Sequence, residues 1–245
     1  MVNGAAVDDA VARARRLPSL RVGLHLVLVD GRPSLAPEAI PALVDAHGRL
    51  RTDLFKLGWD IFLRSGVRRQ LTAELEAQFA AYRATGLALD HVNAHHHFHL
   101  HPTVGALVLA IGRRYQISAV RVPSERRRVL RRIEPSVHHG NGLASTWSAV
   151  LRMRLRRHGL TVPDQVFGLA WSGAMSEERV AGLLKCLPDG ITEIYFHPAT
   201  ANRFAGASSD YRYAEELAAL TSQSIGALVR ASGARTGGYS DFATR

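Results

Sequence analysis

The sequence predicts an α/β fold in which a parallel sheet, barrel-like or doubly wound, is surrounded by helices. Three observations carry this expectation. Short β-rich runs alternate with helical patterns, most of those runs are apolar on both faces, and several helical patterns carry their own start or stop signals. Alternation of this kind indicates βα units. Strands without a polar face belong in a parallel sheet covered by helices on both sides.

Arg21 to Leu28, Ala88 to His95, Ala119 to Val122, Val166 to Trp171 and Thr192 to Phe196 read as strands. Asp8-Asp9 falls on a helix leading to Ser19, as a solvated pair with no catalytic role. Leu71, Leu75, Phe79 and Tyr82 place an apolar stripe along one helix, ended by Gly86. Pro102 opens another that runs to Tyr115, and Ser176 with Glu177 and Glu178 supplies an N-cap and acidic first turn for a helix through Leu187. The segment Gly31 to Trp59 carries Pro33, Pro37 and Pro41 and has no clean period, so it predicts a long loop over the strand ends with at most a short helix. A chain of 245 residues that is 47% hydrophobic can bury one sizeable core, and a single domain over residues 1–245 is expected.

Composition narrows the setting. Cys186 is the only cysteine, so there is no disulfide framework and no thiolate metal cluster. The N-terminus lacks a basic-then-apolar signal pattern, and no window reaches the ~20 apolar residues that span a bilayer. A cytoplasmic location follows as the expectation, with peripheral membrane contact left open. The net charge of +10 comes from arginines concentrated at Arg126 to Arg132 and at Arg152, Arg154, Arg156 and Arg157. Such a run is most simply a solvated helix face, or a stripe that meets an anionic surface. Aromatic residues do not interleave with these arginines as base-stacking platforms would, so nucleic acid is not expected as a partner.

Six of the twelve histidines lie between positions 91 and 101. Read with strand period, positions 91, 93, 95, 97, 99 and 101 are His, Asn, His, His, His and His, while Val92, Ala94, Phe98 and Leu100 mark the other face as core. The strand should end near His95, because Pro102-Thr103 opens a helix. The later histidines then sit in a βα loop, the ligand-binding edge of a parallel α/β sheet. Crowded imidazoles repel one another when protonated, so they want a metal, an anion or neutral hydrogen-bonded tautomers. His25, inside the apolar Gly23-Leu24-His25-Leu26, and His197, ending Glu193 to Ala199, occupy matching places on two other strands. His47, His138, His139 and His158 read as structural.

Gly-Leu-His-Leu, the Asn-Ala-His-His-His-Phe-His segment and the terminal His-Pro-Ala resemble the YdjC-like carbohydrate deacetylases, over nearly the whole chain. Val166 to Met175 is similar to the hopanoid-biosynthesis branch. The resemblance implies a (β/α)-barrel-like fold and a metal-dependent N-deacetylase, an amide hydrolase acting on the acetyl group of an N-acetylated amino sugar. It implies His25 and His95 as metal ligands, and His197 and Arg121 as catalytic-pocket residues. Arg121 in Val120-Arg121-Val122-Pro123 reads equally as a plain strand-end charge. The implied cofactor is a divalent ion, with magnesium, zinc, manganese and cobalt unresolved.

Two departures matter. Asn93-Ala94 stands where the family commonly has Asp-Ser, a neutral pair also found in the hopanoid branch. The family's opening strand, with its Asp-Asp base and ligand, has no match here, so the first βα unit is expected to be missing and the chain's own activity reduced. The implied substrate is an N-acetylglucosaminyl hopanoid. The alternatives are a chitooligosaccharide or a catalytically incomplete metal-binding protein. A homodimer stays open as the assembly.

Overall fold

In chain order the elements are α1 (Val7–Arg16), β1 (Leu24–Leu26), α2 (Leu54–Leu63), α3 (Ser65–Ala84), β2 (Val92–Ala94), α4 (Pro102–Arg114), α5 (Arg127–Ile133), α6 (Gly142–Arg157), β3 (Gln165–Phe167), α7 (Glu177–Lys185), β4 (Thr192–Ile194), α8 (Tyr213–Thr221) and α9 (Gln223–Ala231). They come from a computed structural model that describes residues 1–137 and 142–243, without the side chains of 142–145. His138 and His139 therefore lie outside the described residues. The α/β class is as the sequence predicts: both strand pairs are parallel and helices surround them.

The chain divides into two compact units, one of residues 1–122, 146–162 and 237–245, the other of 123–145 and 163–236. In the first, β1 pairs with β2 in the register Leu24↔Val92, His25↔Asn93 and Leu26↔Ala94. Single parallel bridges, Val92↔Val120 and Ala119↔Thr161, carry the pairing outward. The expected strand at 119–122 is thus reduced to bridging residues. Helix α3 forms as its spacing predicts, burying Val67, Leu71, Leu75, Phe79 and Tyr82, and Gly86 follows it at φ +71°. Helix α4 opens on Pro102. Asp8 and Asp9 lie in the first turn of α1, where Asp9 pairs with the exposed Arg13 at 2.7 Å.

Polar groups on α3 fasten the loop that follows β1. Gln78 accepts from the Val27 N–H at 2.9 Å and donates to the Val27 carbonyl at 2.6 Å, while Glu74 accepts from the N–H groups of Ser34 and Leu35 at 2.7 and 3.0 Å. Both side chains are fully buried, so every bond they make replaces one to water. The long loop predicted for 31–59 exists, and the helix it allowed is α2, which begins inside it at Leu54 and runs 10 residues.

In the second unit β3 pairs with β4 as Gln165↔Thr192, Val166↔Glu193 and Phe167↔Ile194. The expected strand at 166–171 stops at Phe167. The N–H groups of Gly168, Leu169 and Ala170 turn instead to the carboxylate of Glu125, at 3.0, 2.9 and 3.1 Å. Burial raises the Glu125 carboxyl above its usual range, against those three bonds, which favour the charged form. Helix α7 starts where its cap predicts, with the Ser176 hydroxyl accepting from the Arg179 N–H at 3.4 Å. The arginines of α5 lie exposed around buried Val129 and Leu130, the arrangement of a solvated face.

Candidate active site

Strand β2 ends at Ala94, and His95 to Leu100 form a 3-10 turn that leads into α4. The alternation read along 91–101 therefore holds only to Ala94. Beyond it His96 and His97 take left-handed backbone, at φ 50° and 53°, and across the edge Asp30 does the same at 48°. Left-handed residues other than glycine cost about 1–3 kcal/mol each and persist where their surroundings fix them, commonly at functional sites. Among the described residues only Gln116 joins these three.

His25 and His95 come together, with ring centroids 5.6 Å apart and edge to face. His25 Nδ1 lies 2.5 Å from Asn93 Oδ1, so Nδ1 carries the proton and donates, leaving Nε2 as the basic nitrogen. The line of contacts continues inward. Asn93 Nδ2 is 3.4 Å from His91 Nε2, and His91 Nδ1 is 2.9 Å from the Asp90 carboxylate. His91 stacks on Tyr239 at 4.4 Å and fits over Gly23, where any Cβ would stand within 2.6 Å of the ring. Gly23 is thus required by close packing.

Asp30 Oδ2 is 3.4 Å from His96 Nε2, and Asp30, His95 and His96 each bring one ligand-type atom within 4.8 Å of the others. A carboxylate oxygen with two imidazole nitrogens fits a divalent ion. His25 is outside that set of three, although its ring adjoins that of His95. Charge agrees with a ligand role. Burial lowers His25 to about 3 and His97 to about 3, and His99, also lowered chiefly by burial, to about 4. His25, His97 and His99 are thus neutral imidazoles at physiological pH, and for His25 that is the form that binds metals.

Arg121 belongs to the same unit. Its N–H donates to the Val92 carbonyl at 2.9 Å, and its own carbonyl accepts from His99 Nε2 at 2.7 Å. Its charge contributes to the lowering of His25 and His97. His47 and His158 are exposed and outside the cluster.

His197 lies in the second unit, three residues past β4. Its N–H donates to Glu216, a fully buried carboxylate on α8 whose other oxygen accepts from the Met175 N–H at 3.0 Å. The imidazole adjoins Tyr195 at 5.5 Å and Tyr211 at 4.9 Å, and the Tyr211 hydroxyl lies 2.7 Å from Ser172 Oγ.

Sequence reasoning did not single out Asp30 or His96 as a pair, nor Glu216. The signal for Asp30 was its place in Asp30-Gly31 directly after the apolar β1 run; Glu216 looked like an ordinary acidic first-turn residue.

Similarity to known proteins runs the length of this framework. A carbohydrate deacetylase from Brevibacillus brevis is 39% identical over 123 residues, which is 50% of this chain and 46% of that protein. The chain thus spans less than half of that relative. A chitooligosaccharide deacetylase from Yersinia pestis is 29% identical over 257 aligned positions, covering 98% of this chain and 85% of that one. A crystal structure from Enterococcus faecalis V583, described there as a cellobiose-phosphate cleavage protein, superposes with a TM-score of 0.75 at 22% identity, covering 100% of this chain and 86% of its own. That likeness speaks for the fold. The family described as YdjC-like protein matches residues 1–231, and the chain belongs to it.

Proposed function

We propose that the protein is a metal-dependent hydrolase that removes the acetyl group from an N-acetylated amino sugar. The observation that carries this reading is the meeting of Asp30, His95 and His96 at the edge that also bears His25. The relatives, named carbohydrate and chitooligosaccharide deacetylases, supply the substrate class.

His95 and His25 would hold the ion through ring nitrogens, with Asp30 as the carboxylate that offsets its charge. A bound divalent ion supplies a water of lowered pKa and an electrophile for the acetyl carbonyl oxygen. Asn93 fixes the tautomer of His25 by accepting its Nδ1 proton. Water adds to the carbonyl carbon, the C–N bond breaks, and the leaving nitrogen takes a proton to give the free amine and acetate. By the family resemblance His197 is the proposed donor of that proton, and Arg121 would offset the negative charge that develops on the oxygen.

Two substrates fit the reading: a lipid-linked N-acetylglucosaminyl group, as the likeness of residues 166–175 to the hopanoid branch favours, and a chitooligosaccharide. The test measures bound metal by mass spectrometry and acetate released from each. Metal with acetate from the lipid-linked sugar is the expected result. Acetate from the oligosaccharide alone moves the substrate, and metal without acetate from either leaves a binding protein.

A further inference from the structure

We infer that two exposed apolar stripes of the first unit dock the protein on an anionic lipid surface. Helix α2 is apolar on two faces. Leu57, Gly58 and Ile61 are buried, yet Phe55, Trp59, Phe62 and Leu63 are 81%, 52%, 57% and 67% exposed. At 3.6 residues per turn the exposed four fall on one side, away from the buried three. Their rings form a ladder, Phe55 to Trp59 and Trp59 to Phe62, each step 6.3 Å between centroids. On α6, within residues 146–157, Leu151 and Leu155 are buried while Trp147, Val150 and Met153 are about half exposed. A contiguous apolar patch left facing water marks an interaction surface.

Charge selects what covers it. Lys56, Arg64, Arg68 and Arg69 lie on or near α2 along the chain, together with the paired group of Arg51, Asp53 and Asp60. Both acids are already paired with Arg51, and Asp60 also with Arg64. Helix α6 carries Arg152, Arg154, Arg156 and Arg157 and no acidic residue. A two-fold contact between copies would set each basic rim against itself. A nucleic acid would leave Leu63, Val150 and Met153 without a base to stack on. Phenylalanine, tryptophan and leucine rimmed by lysine and arginine suit an anionic bilayer interface, with rings at the headgroup boundary and cations at the phosphates.

The two helices share a support. Gly58 of α2 lies against the His101 ring, where an added Cβ would stand 3.4 Å from Cδ2, and Leu151 of α6 lies against Gly105 of α4, 3.0 Å from an added Cβ. Both therefore pack on the opening turn of α4, directly after the histidine-bearing turn.

The test uses the full chain and sugar-free vesicles, so it does not depend on the deacetylase reading. Co-sedimentation is measured with phosphatidylcholine vesicles and with phosphatidylcholine–phosphatidylglycerol vesicles. Binding to the anionic vesicles alone, falling as salt rises, is expected. The triple substitution Phe55→Ser, Trp59→Ser, Phe62→Ser should lower that binding at least about tenfold, with unchanged circular dichroism. Should the triple variant not fold, brominated phosphatidylglycerol should quench the tryptophan fluorescence of the unaltered chain, and an unquenched signal would overturn the proposal. So would vesicle binding that the substitutions leave unchanged, a dimer that they dissociate in place of vesicle binding, or binding confined to nucleic acid.

Discussion

The two units hold their candidate histidines by different means. His25 is held through a line of bonded partners: Asn93 on its Nδ1, His91 behind Asn93, and Asp90 behind His91. The facing Asp30 sits in a loop clamped by Glu74 and Gln78. His197 instead has its backbone tied by Glu216, and its imidazole lies among the rings of Tyr195 and Tyr211. A ligand needs its tautomer and direction set before the ion arrives, and the Asn93 contact sets both for His25.

The largest effect should come from the first unit. His95→Ala and His25→Ala should each lower metal affinity more than about a hundredfold, beyond the range usual for outer partners, and take acetate release with it. Mass spectrometry of the purified variants reads this directly. Unchanged metal content in both would move the site to other members of the cluster and remove the ligand half of the comparison.

His197→Ala should act on rate alone, lowering turnover by ~10²–10⁴ while metal content holds. If metal is lost to the same degree as in His95→Ala, His197 is a ligand and the two units do not differ in kind.

Asn93→Leu sharpens the contrast between ligand and support. It keeps size but removes the acceptor for His25 Nδ1, and a 10–100-fold loss of metal affinity is the usual consequence of losing such a partner, taken as an order of magnitude (about one to two decades). Titration with the metal alone measures it, and an affinity within about twofold of the unaltered chain would show that packing already orients His25.

The parts of this arrangement that were legible in the sequence are those that break a local pattern. His25 stands out because it is polar within Leu24 to Val29, and His95 because it belongs to a dense histidine run at a strand end where Pro102 soon opens a helix. Asp30 gives only a weak signal, as a fallback candidate base, since Asp-Gly after a strand has a turn as its ordinary meaning and its placement depends on contacts from α3 more than 40 residues away. The bounds of α2 were not legible for a related reason. A helix with one buried and one exposed apolar face shows no single period, so the short helix allowed within 31–59 could not be placed at Leu54 to Leu63. Val166 to Trp171 was read as too long a strand because a run of sequence does not reveal that Glu125, 43 residues earlier, takes the next three N–H groups.

The smallest expected effect lies at the inner end of the His25 line, where Asp90 also receives the N–H groups of Tyr239 and Ser240 at 3.0 and 2.9 Å and the Ser240 hydroxyl at 2.7 Å. Burial works to raise the Asp90 carboxyl, but the bonds from His91, Ser240 and Tyr239 outweigh it and hold the group well below its usual range. A carboxyl lowered on folding stabilises the protein above its unfolded pKa of about 3.9. That stabilisation is lost as pH falls from there through the lowered folded value. Asp90→Asn removes the charge and part of the acceptor set, so it should cost roughly 1.5–3 kcal/mol at neutral pH, the range for hydrogen bonds to a charged group. The same variant should show a shallower loss of stability on acidification, because one titrating group is gone. Urea unfolding at neutral pH and at about pH 3 gives both quantities. A second reading from the same samples decides whether Asp90 reaches the site. If the contacts through His91 and Asn93 orient His25, metal affinity should fall in Asp90→Asn by less than in Asn93→Leu, since the partner lost is two residues removed from the ligand. A stability loss with unaltered metal affinity would confine Asp90 to holding the segment at Tyr239 and Ser240, and the support of His25 would end at Asn93.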